Sequence, residues 1–261
     1  MELIAPPHWR CVDFISDLHL DAQTPLALAA LHRYLQSTPA QAVCVLGDLF
    51  EVWVGDDALG GEGGFEAKVA DQFYQASKRL DVFIMCGNRD FLMGQGLMAA
   101  CGAQRLEDPS VLAAGTQRWL LTHGDALCLA DTDYLAFRQR VRGEPWQTEF
   151  LAQTLLQRQV VARALRAQSE AKKQQHAQSQ KHWIDLDAPA CLAALAHAEA
   201  NHMVHGHTHQ PAQHDLGGGH TRWVLSDWDL HATPPRAQVL RLLIDTGTIE
   251  RVDLVTTAPG P

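Results

Sequence analysis

Nowhere in these 261 residues does an apolar run approach the ~20 residues that a membrane-spanning helix needs. The opening MELIAPPHWRCVDFISD also holds no apolar core of a secretion signal. Together these predict a protein of the cytoplasm, or one resting on a membrane surface without crossing it. Excess positive charge is missing too: 21 Lys and Arg against 30 Asp and Glu leave −9. General nucleic-acid binding, which needs a positive field facing the phosphates, is therefore not expected. The six cysteines (Cys11, Cys44, Cys86, Cys101, Cys128, Cys191) form no C-x-x-C pair, and several lie in apolar runs such as AVCVLG and VFIMCG. That pattern predicts reduced, buried thiols and not a disulfide framework. Repeats and low-complexity tracts are lacking, apart from the polar run EAKKQQHAQSQKH, read as a loop or frayed helix end.

What is present suits a soluble globular chain: 46% hydrophobic and 20% charged residues, long enough for one domain with room for an insertion. Short β-rich apolar runs alternate with helical patterns in the first half. CVDFIS, QAVCVLGD and DVFIMCGN read as strands; PLALAALHRYLQS, FEAKVADQFYQASKRL and GQGLMAACG read as helices, the first starting at Pro25. SVLAAGTQRWLLTHGD then suggests two strands around Gly115. RWVLSDWD and AQVLRLLIDTGTIERVDLV suggest strands with a hairpin at DTGT. The sum predicts an α/β protein of two packed sheets.

Residues 134–182 stand apart. They are helical in pattern and carry nine Lys and Arg against three Glu, a net of +6, while the remaining 12 basic and 27 acidic residues give −15. A basic block in an acidic chain points to a local anionic partner, or to a solvated helical face. The apolar doublets Phe150-Leu151, Leu155-Leu156 and Val160-Val161 recur every five residues, each step turning ~140° about a helix. Apolar surface thus spreads around the helix, which must be covered on several sides or help line an apolar pocket.

Five short motifs follow predicted strands: SDLHLD (Asp17, His19), LGDLFE (Asp48), CGNRDF (Asn88, Arg89, Asp90), LTHGD (His123, Asp125) and VHGHTH (His205, His207, His209). Ligands of open α/β sheets collect beyond the carboxyl ends of strands, where all five lie. Residues two apart in extended chain point the same way, so Asp17 and His19 can grip one ion. The same spacing lets His205 and His207 project together across Gly206. Singly, such motifs are commonly caps, turns or loop histidines; it is their order, each after a strand, that carries weight. Carboxylate, imidazole and amide oxygen suit Mn, Fe, Zn or Mg better than a thiolate site would.

Asp-x-His, Gly-Asp, Gly-Asn-Arg, His and Gly-His-x-His, in this order, resemble the calcineurin-like metallophosphoesterases. The resemblance implies a two-sheet α/β sandwich flanked by helices that binds two metal ions. Asp17, His19, Asp48 and His207 would hold one ion, and Asp48, Asn88, His123 and His205 the other, with Asp48 bridging. Two such ions, ~3.5–4 Å apart, activate a water and neutralise phosphoryl charge. Arg89 is placed to hold a phosphate oxygen, or else pairs with Asp90 as an ordinary ion pair.

The longer stretches GDLFEVWVGDD, GNRDFLMG, THGDALCLADTDYLAFRQRVR and VHGHTHQPAQH are similar to the UDP-2,3-diacylglucosamine pyrophosphatase family of lipid A synthesis. That similarity implies two Mn²⁺ ions and hydrolysis of UDP-2,3-diacylglucosamine to UMP and 2,3-diacylglucosamine 1-phosphate, by water attack on the α-phosphorus. It implies peripheral attachment to the cytoplasmic face of the inner membrane, with residues 134–182 as a helical lid on a core of 1–133 and 183–261. Substrate contacts carry over onto Asn88, Arg89, Asp131, Arg166, Ser169 and His205, with Lys173 preferred over Lys172 or Lys181. Asp131 alternatively caps the next helix. His209 is left as a supporting or loop residue and His202 as a structural one.

Overall fold

The computed structural model describes residues 1–60, 63–178 and 185–255, with the side chains of 169–178 left aside. Its strands are β1 (Glu2–Ile4), β2 (Cys11–Ile15), β3 (Ala42–Leu46), β4 (Asp81–Met85), β5 (Gln104–Leu106), β6 (Ser110–Ala114), β7 (Gln117–Thr122), β8 (His202–His205), β9 (Gln213–Gly217), β10 (His220–Val224), β11 (Gln238–Leu243) and β12 (Thr248–Asp253). Its helices are α1 (Pro25–Ser37), α2 (Phe65–Ser77), α3 (Gln95–Cys101), α4 (Thr132–Val141), α5 (Glu144–Leu151), α6 (Leu155–Gln178) and α7 (Ala188–His197). One sheet runs β12-β11-β2-β3-β4-β5 and the other β1-β6-β7-β8-β10-β9.

Alternation along the strands builds the layers, because successive side chains take opposite faces. Val12, Phe14, Cys44, Leu46 and Phe83 meet Leu112, Trp119, Leu121 and Val204 between the sheets. Their strand neighbours Ile15, Val43, Val45 and Ile84 face outward and pack under α1, α2 and α3. On the far side Leu120 and Met203 pack against Cys191 and Leu195 of α7. The result is the α/β sandwich flanked by helices that the sequence predicts. All six cysteines are free and buried, as expected.

One polar group interrupts the apolar pattern of β2. Asp13 is fully buried and accepts Arg241 Nε at 2.8 Å and Nη2 at 2.9 Å, Tyr34 Oη at 2.9 Å and Thr38 Oγ1 at 2.6 Å. Removing one member of a buried pair leaves an uncompensated charge. Arg241→Met is accordingly expected to lower unfolding free energy by ~3–5 kcal/mol, read from urea melts; a loss under ~1 kcal/mol would mean that the hydroxyls alone suffice.

Residues 134–178 run from α4 through α5 and α6, and two clasps tie this stretch to the sandwich. Tyr134 and Arg138 on α4, and Arg142 at its C-terminal cap, lie about one turn apart and converge on the buried Asp125. Tyr134 Oη donates to Oδ2, Arg138 Nε is 2.8 Å away, Arg142 Nη2 is 3.6 Å away, and Arg142 also donates to Gly87 O at 2.9 Å. From α6, the buried Arg158 donates to Val54 O and Asp57 Oδ2. Gly55 is required there: its φ is +134°, and a Cβ would lie 2.3 Å from Arg158 Nη1.

Candidate active site

The five motifs do lie together, where β2, β3 and β4 of one sheet and β7 and β8 of the other end. Several site residues take the left-handed backbone that L side chains avoid: Asp17 (φ 54°), His19 (47°), Asp48 (52°), His207 (69°) and His209 (53°). Each such residue costs on the order of 1–3 kcal/mol and persists only where its surroundings hold it.

Asp17, His19 and His209 form one group. Asp17 is fully buried; its Oδ2 accepts Ser16 Oγ at 2.5 Å, and both oxygens accept the His207 backbone N–H at 3.1 and 2.9 Å. His209 Nε2 stands 3.3 Å from Asp17 Oδ1 and 3.3 Å from His19 Nε2. Burial pushes the Asp17 carboxyl up, yet His209, His123 and His19 together hold it well below the usual range. Asp17 in turn raises His209 against the burial that lowers it.

Asp48, Asn88, His123 and His207 form the second group. Asn88 Oδ1 lies 2.9 Å from both His123 Nε2 and His207 Nδ1. His123 Nδ1 faces Leu46 O at 2.9 Å; a carbonyl only accepts, so the proton sits on Nδ1 and Nε2 points into the site. Asp48 stands between the groups, its Oδ1 3.7 Å from His123 Nε2 and its Oδ2 3.9 Å from His19 Nε2. Burial lowers His123, but Asp48, Asp17 and Asp125 bring it up to about 9; burial and His123 push His207 down to about 4.

The histidine cluster makes contacts beyond those the resemblance implies. His205 was expected beside Asn88 and His123, and His207 beside Asp17 and His19. His207 reaches both groups, its backbone N–H on Asp17 and its Nδ1 2.9 Å from Asn88 Oδ1, while the His209 ring lies beside Asp17 and His19. His205 is buried with Nδ1 at 2.8 Å from Gly206 O, and its Nε2 is buried without a hydrogen-bond partner. β8 stops at His205, and a loop begins at Gly206. The loop then brings Gly206 against the β2 loop, where a Cβ would lie 2.3 Å from Asp17 Oδ2 and Ser16 Oγ. His202 behaves as a framework residue, its Nδ1 2.8 Å from Thr221 Oγ1 and its ring 4.4 Å from that of Trp119.

Around the groups sit charged side chains. Arg89 does not pair with Asp90: its Nη1 is 3.5 Å from Glu51 Oε1 and its Nε 3.9 Å from Asp48 Oδ2. Asp90 instead accepts the backbone N–H groups of Leu49 (2.7 Å), Phe50 (3.4 Å) and Gly87 (2.7 Å), fastening the β3 and β4 loops together. Arg166 of α6 donates to Glu51. Asp131 caps α4, accepting Tyr134 N–H at 3.0 Å. The side chains of Ser169, Lys172 and Lys173, and all of Lys181, lie outside the described residues. The sequence reading missed Glu51 and the ligand-like placement of His209; the strand-ending Gly206 was the available signal for His209.

The donor set fits divalent cations. Among the described residues, Asp17/His19/His209 and Asp17/Asp48/His123 each offer ligand atoms within 4.8 Å of one another. Three buried carboxylates raise His123, so the site carries negative charge that a cation would offset. Asn88 Oδ1 between the His123 and His207 rings, and the facing Nε2 atoms of His19 and His209, gather ligand atoms as closely as a cation site requires. Carboxylate, imidazole and amide donors without thiolate suit Mn, Fe, Zn or Mg.

The chain is similar to several known proteins. A model of the calcineurin-like phosphoesterase family matches residues 12–211. UDP-2,3-diacylglucosamine hydrolase of Bordetella pertussis is 41% identical over 246 residues, covering 92% of this chain and 93% of that one. The protein of the same name from Xanthomonas axonopodis pv. citri is 38% identical over 250 residues, covering 92% and 98%. Among solved structures, Vacuolar Protein Sorting 29 from Cryptosporidium parvum superposes with a TM-score of 0.47 at 12% identity, covering 94% and 96%.

Proposed function

The chain belongs to the calcineurin-like phosphoesterase family, and we propose that this hydrolase splits the pyrophosphate of UDP-2,3-diacylglucosamine, releasing UMP and 2,3-diacylglucosamine 1-phosphate. The observation that carries this is the convergence of two carboxylates, four imidazoles and one amide oxygen from five strand ends, in a chain 41% identical to hydrolases of that name. We assign Asp17, His19, Asp48 and His209 to one cation and Asp48, Asn88, His123 and His207 to the other, with Asp48 shared. Both cations are proposed to be Mn²⁺. When bound, such ions activate a water and neutralise charge on phosphoryl oxygens.

The chain's own side chains supply the rest. Arg89, at the rim of the second group, offers a planar guanidinium to a phosphate oxygen. Arg166 brings a second one from α6. Asp131, Ser169 and Lys173 are proposed as further contacts. The insertion 134–182 is proposed as a lid over the acyl chains: Leu151, Leu156, Val160 and Val161 are exposed there, Leu156 by 67%. Its basic charge is only partly available to substrate, because Arg138, Arg142 and Arg158 are engaged by Asp125 and Asp57.

No helix among the described residues is long and apolar enough to cross a membrane. The substrate is amphiphilic, so peripheral attachment on the cytoplasmic face of the inner membrane is proposed. The test is direct: purified protein with Mn²⁺ and UDP-2,3-diacylglucosamine should release UMP, and EDTA should stop it. Turnover of aryl phosphates without UMP release would replace this substrate assignment with that of another phosphoesterase.

A further inference from the structure

Glu51 belongs to neither ligand group, yet side chains from three separate parts of the chain end on its carboxylate. Its Oε2 is 3.2 Å from His19 Nδ1; its Oε1 is 3.5 Å from Arg89 Nη1 and also accepts Arg166 Nε. His19 comes from the loop after β2, Arg89 from the loop after β4, and Arg166 from α6 of the insertion. The two oxygens therefore divide their partners, one facing an imidazole and the other two guanidinium groups. The carboxylate is about three-quarters buried, with 25% of its side chain exposed, so these contacts are little screened.

Each contact has a consequence for the site. His19 points Nε2 at Asp17 and Asp48, 4.0 and 3.9 Å from their oxygens. To offer a lone pair there it must carry its proton on Nδ1. The Glu51 carboxylate 3.2 Å away favours that tautomer by its charge and can accept the proton after a slight ring rotation, although no hydrogen bond joins the two as the ring stands. Glu51 is the only ion-pair partner of that nitrogen among the described residues. Arg89 and Arg166 are like charges sharing one anion, so without it they would repel and spread.

Resting on the proposed function, we infer that Glu51 is a positioning residue. Through Oε2 it holds the His19 proton on Nδ1 and frees Nε2 for a cation, and through Oε1 it gathers Arg89 and Arg166 into one receptor for the substrate's phosphates. A glutamine can serve only one of the two sides. Its amide oxygen can accept from His19 Nδ1, but its NH₂ then faces the guanidinium groups.

The test compares full-length wild type with Glu51→Ala, Glu51→Gln and Arg166→Ala. Mn²⁺ affinity is read by the electron paramagnetic resonance of free Mn²⁺, and KM and kcat by UMP release. Glu51→Ala should weaken Mn²⁺ binding ~10–100-fold and raise KM, and excess Mn²⁺ should restore metal occupancy but not KM. Arg166→Ala should raise KM at unchanged Mn²⁺ affinity. Glu51→Gln should keep Mn²⁺ affinity within a few-fold of wild type while raising KM, and it remains readable should the alanine variant fold poorly. Wild-type Mn²⁺ affinity and KM in both Glu51 variants would overturn the inference, as would a loss confined to thermal stability. If wild type binds Mn²⁺ but releases no UMP, the substrate assignment fails while the Mn²⁺ comparison still decides the His19 half.

Discussion

Asp48→Ala should cut UMP release by ~10³-fold or more and lower the bound metal from two ions per chain to one or fewer. The magnitude follows from geometry. Asp48 faces both groups, toward His123 through Oδ1 and toward His19 through Oδ2. It is 2% exposed, so no water can take its place cheaply. Losing electrostatic stabilisation worth ~4 kcal/mol, the several kcal/mol that cations supply to a phosphoryl transition state, corresponds to ~10³ in rate. Asp48 also accepts the Arg89 backbone N–H at 2.8 Å, so the alanine variant additionally loosens the loop that carries Asn88. Its φ of 52° makes alanine strained there, whereas asparagine tolerates that backbone. Asp48→Asn is therefore the cleaner variant: it should fold like wild type, keep the loop bond and still lose turnover, since a neutral amide cannot bridge two cations. Activity above a tenth of wild type in Asp48→Asn, with metal content measured alongside, would overturn the shared-ligand assignment.

The sandwich was legible because its central strands are near-continuous apolar runs closed by Gly-Asp, Gly-Asn or His-Gly, which stop a strand and leave a polar side chain at its end. Less of the periphery could be read. β1 and β5 are three residues long, and β9 has a half-exposed edge pattern with no apolar face to betray it. α7 left a signal that went unread, the Asp187 cap followed by Pro189 in the first turn, but its alanine-rich body shows little period. The clasps of the insertion are three-dimensional facts. Nothing in the spacing of GDLFEVWVGDD shows that Gly55 makes room for an arginine a hundred residues away, or that Asp56 accepts Gly94 N–H and Leu97 N–H at the start of α3. Glu51 likewise reads as one acid in an acidic chain until His19, Arg89 and Arg166 are brought to it.

The histidine cluster gives the second large effect. His209→Ala should lower UMP release ~10²–10³-fold, while His205→Leu should stay within a few-fold of wild type. His209 Nε2 stands 3.3 Å from both Asp17 Oδ1 and His19 Nε2, so its loss removes a ligand from the first group. Removing a transition-state contact worth ~3–4 kcal/mol corresponds to that range. His205 makes one bond, to Gly206 O, and its other ring nitrogen is buried without a hydrogen-bond partner. Leucine of similar volume forfeits one bond, worth ~1 kcal/mol, and relieves one unsatisfied group, so thermal stability should move little. Acidity separates a ligand from a bystander as well. Burial lowers His209, but Asp17 outweighs it and sets the pKa above the ordinary imidazole value, so a cation must displace a proton from this ring. Mn²⁺ affinity should therefore climb with pH until His209 and His123, the latter raised to about 9, are both neutral, and then level off. In His209→Ala the remaining affinity should climb less steeply over the same range, because one fewer proton is displaced. An inactive His205→Leu with a normal melt, beside an active His209→Ala, would instead restore the pairing that two-residue spacing suggests.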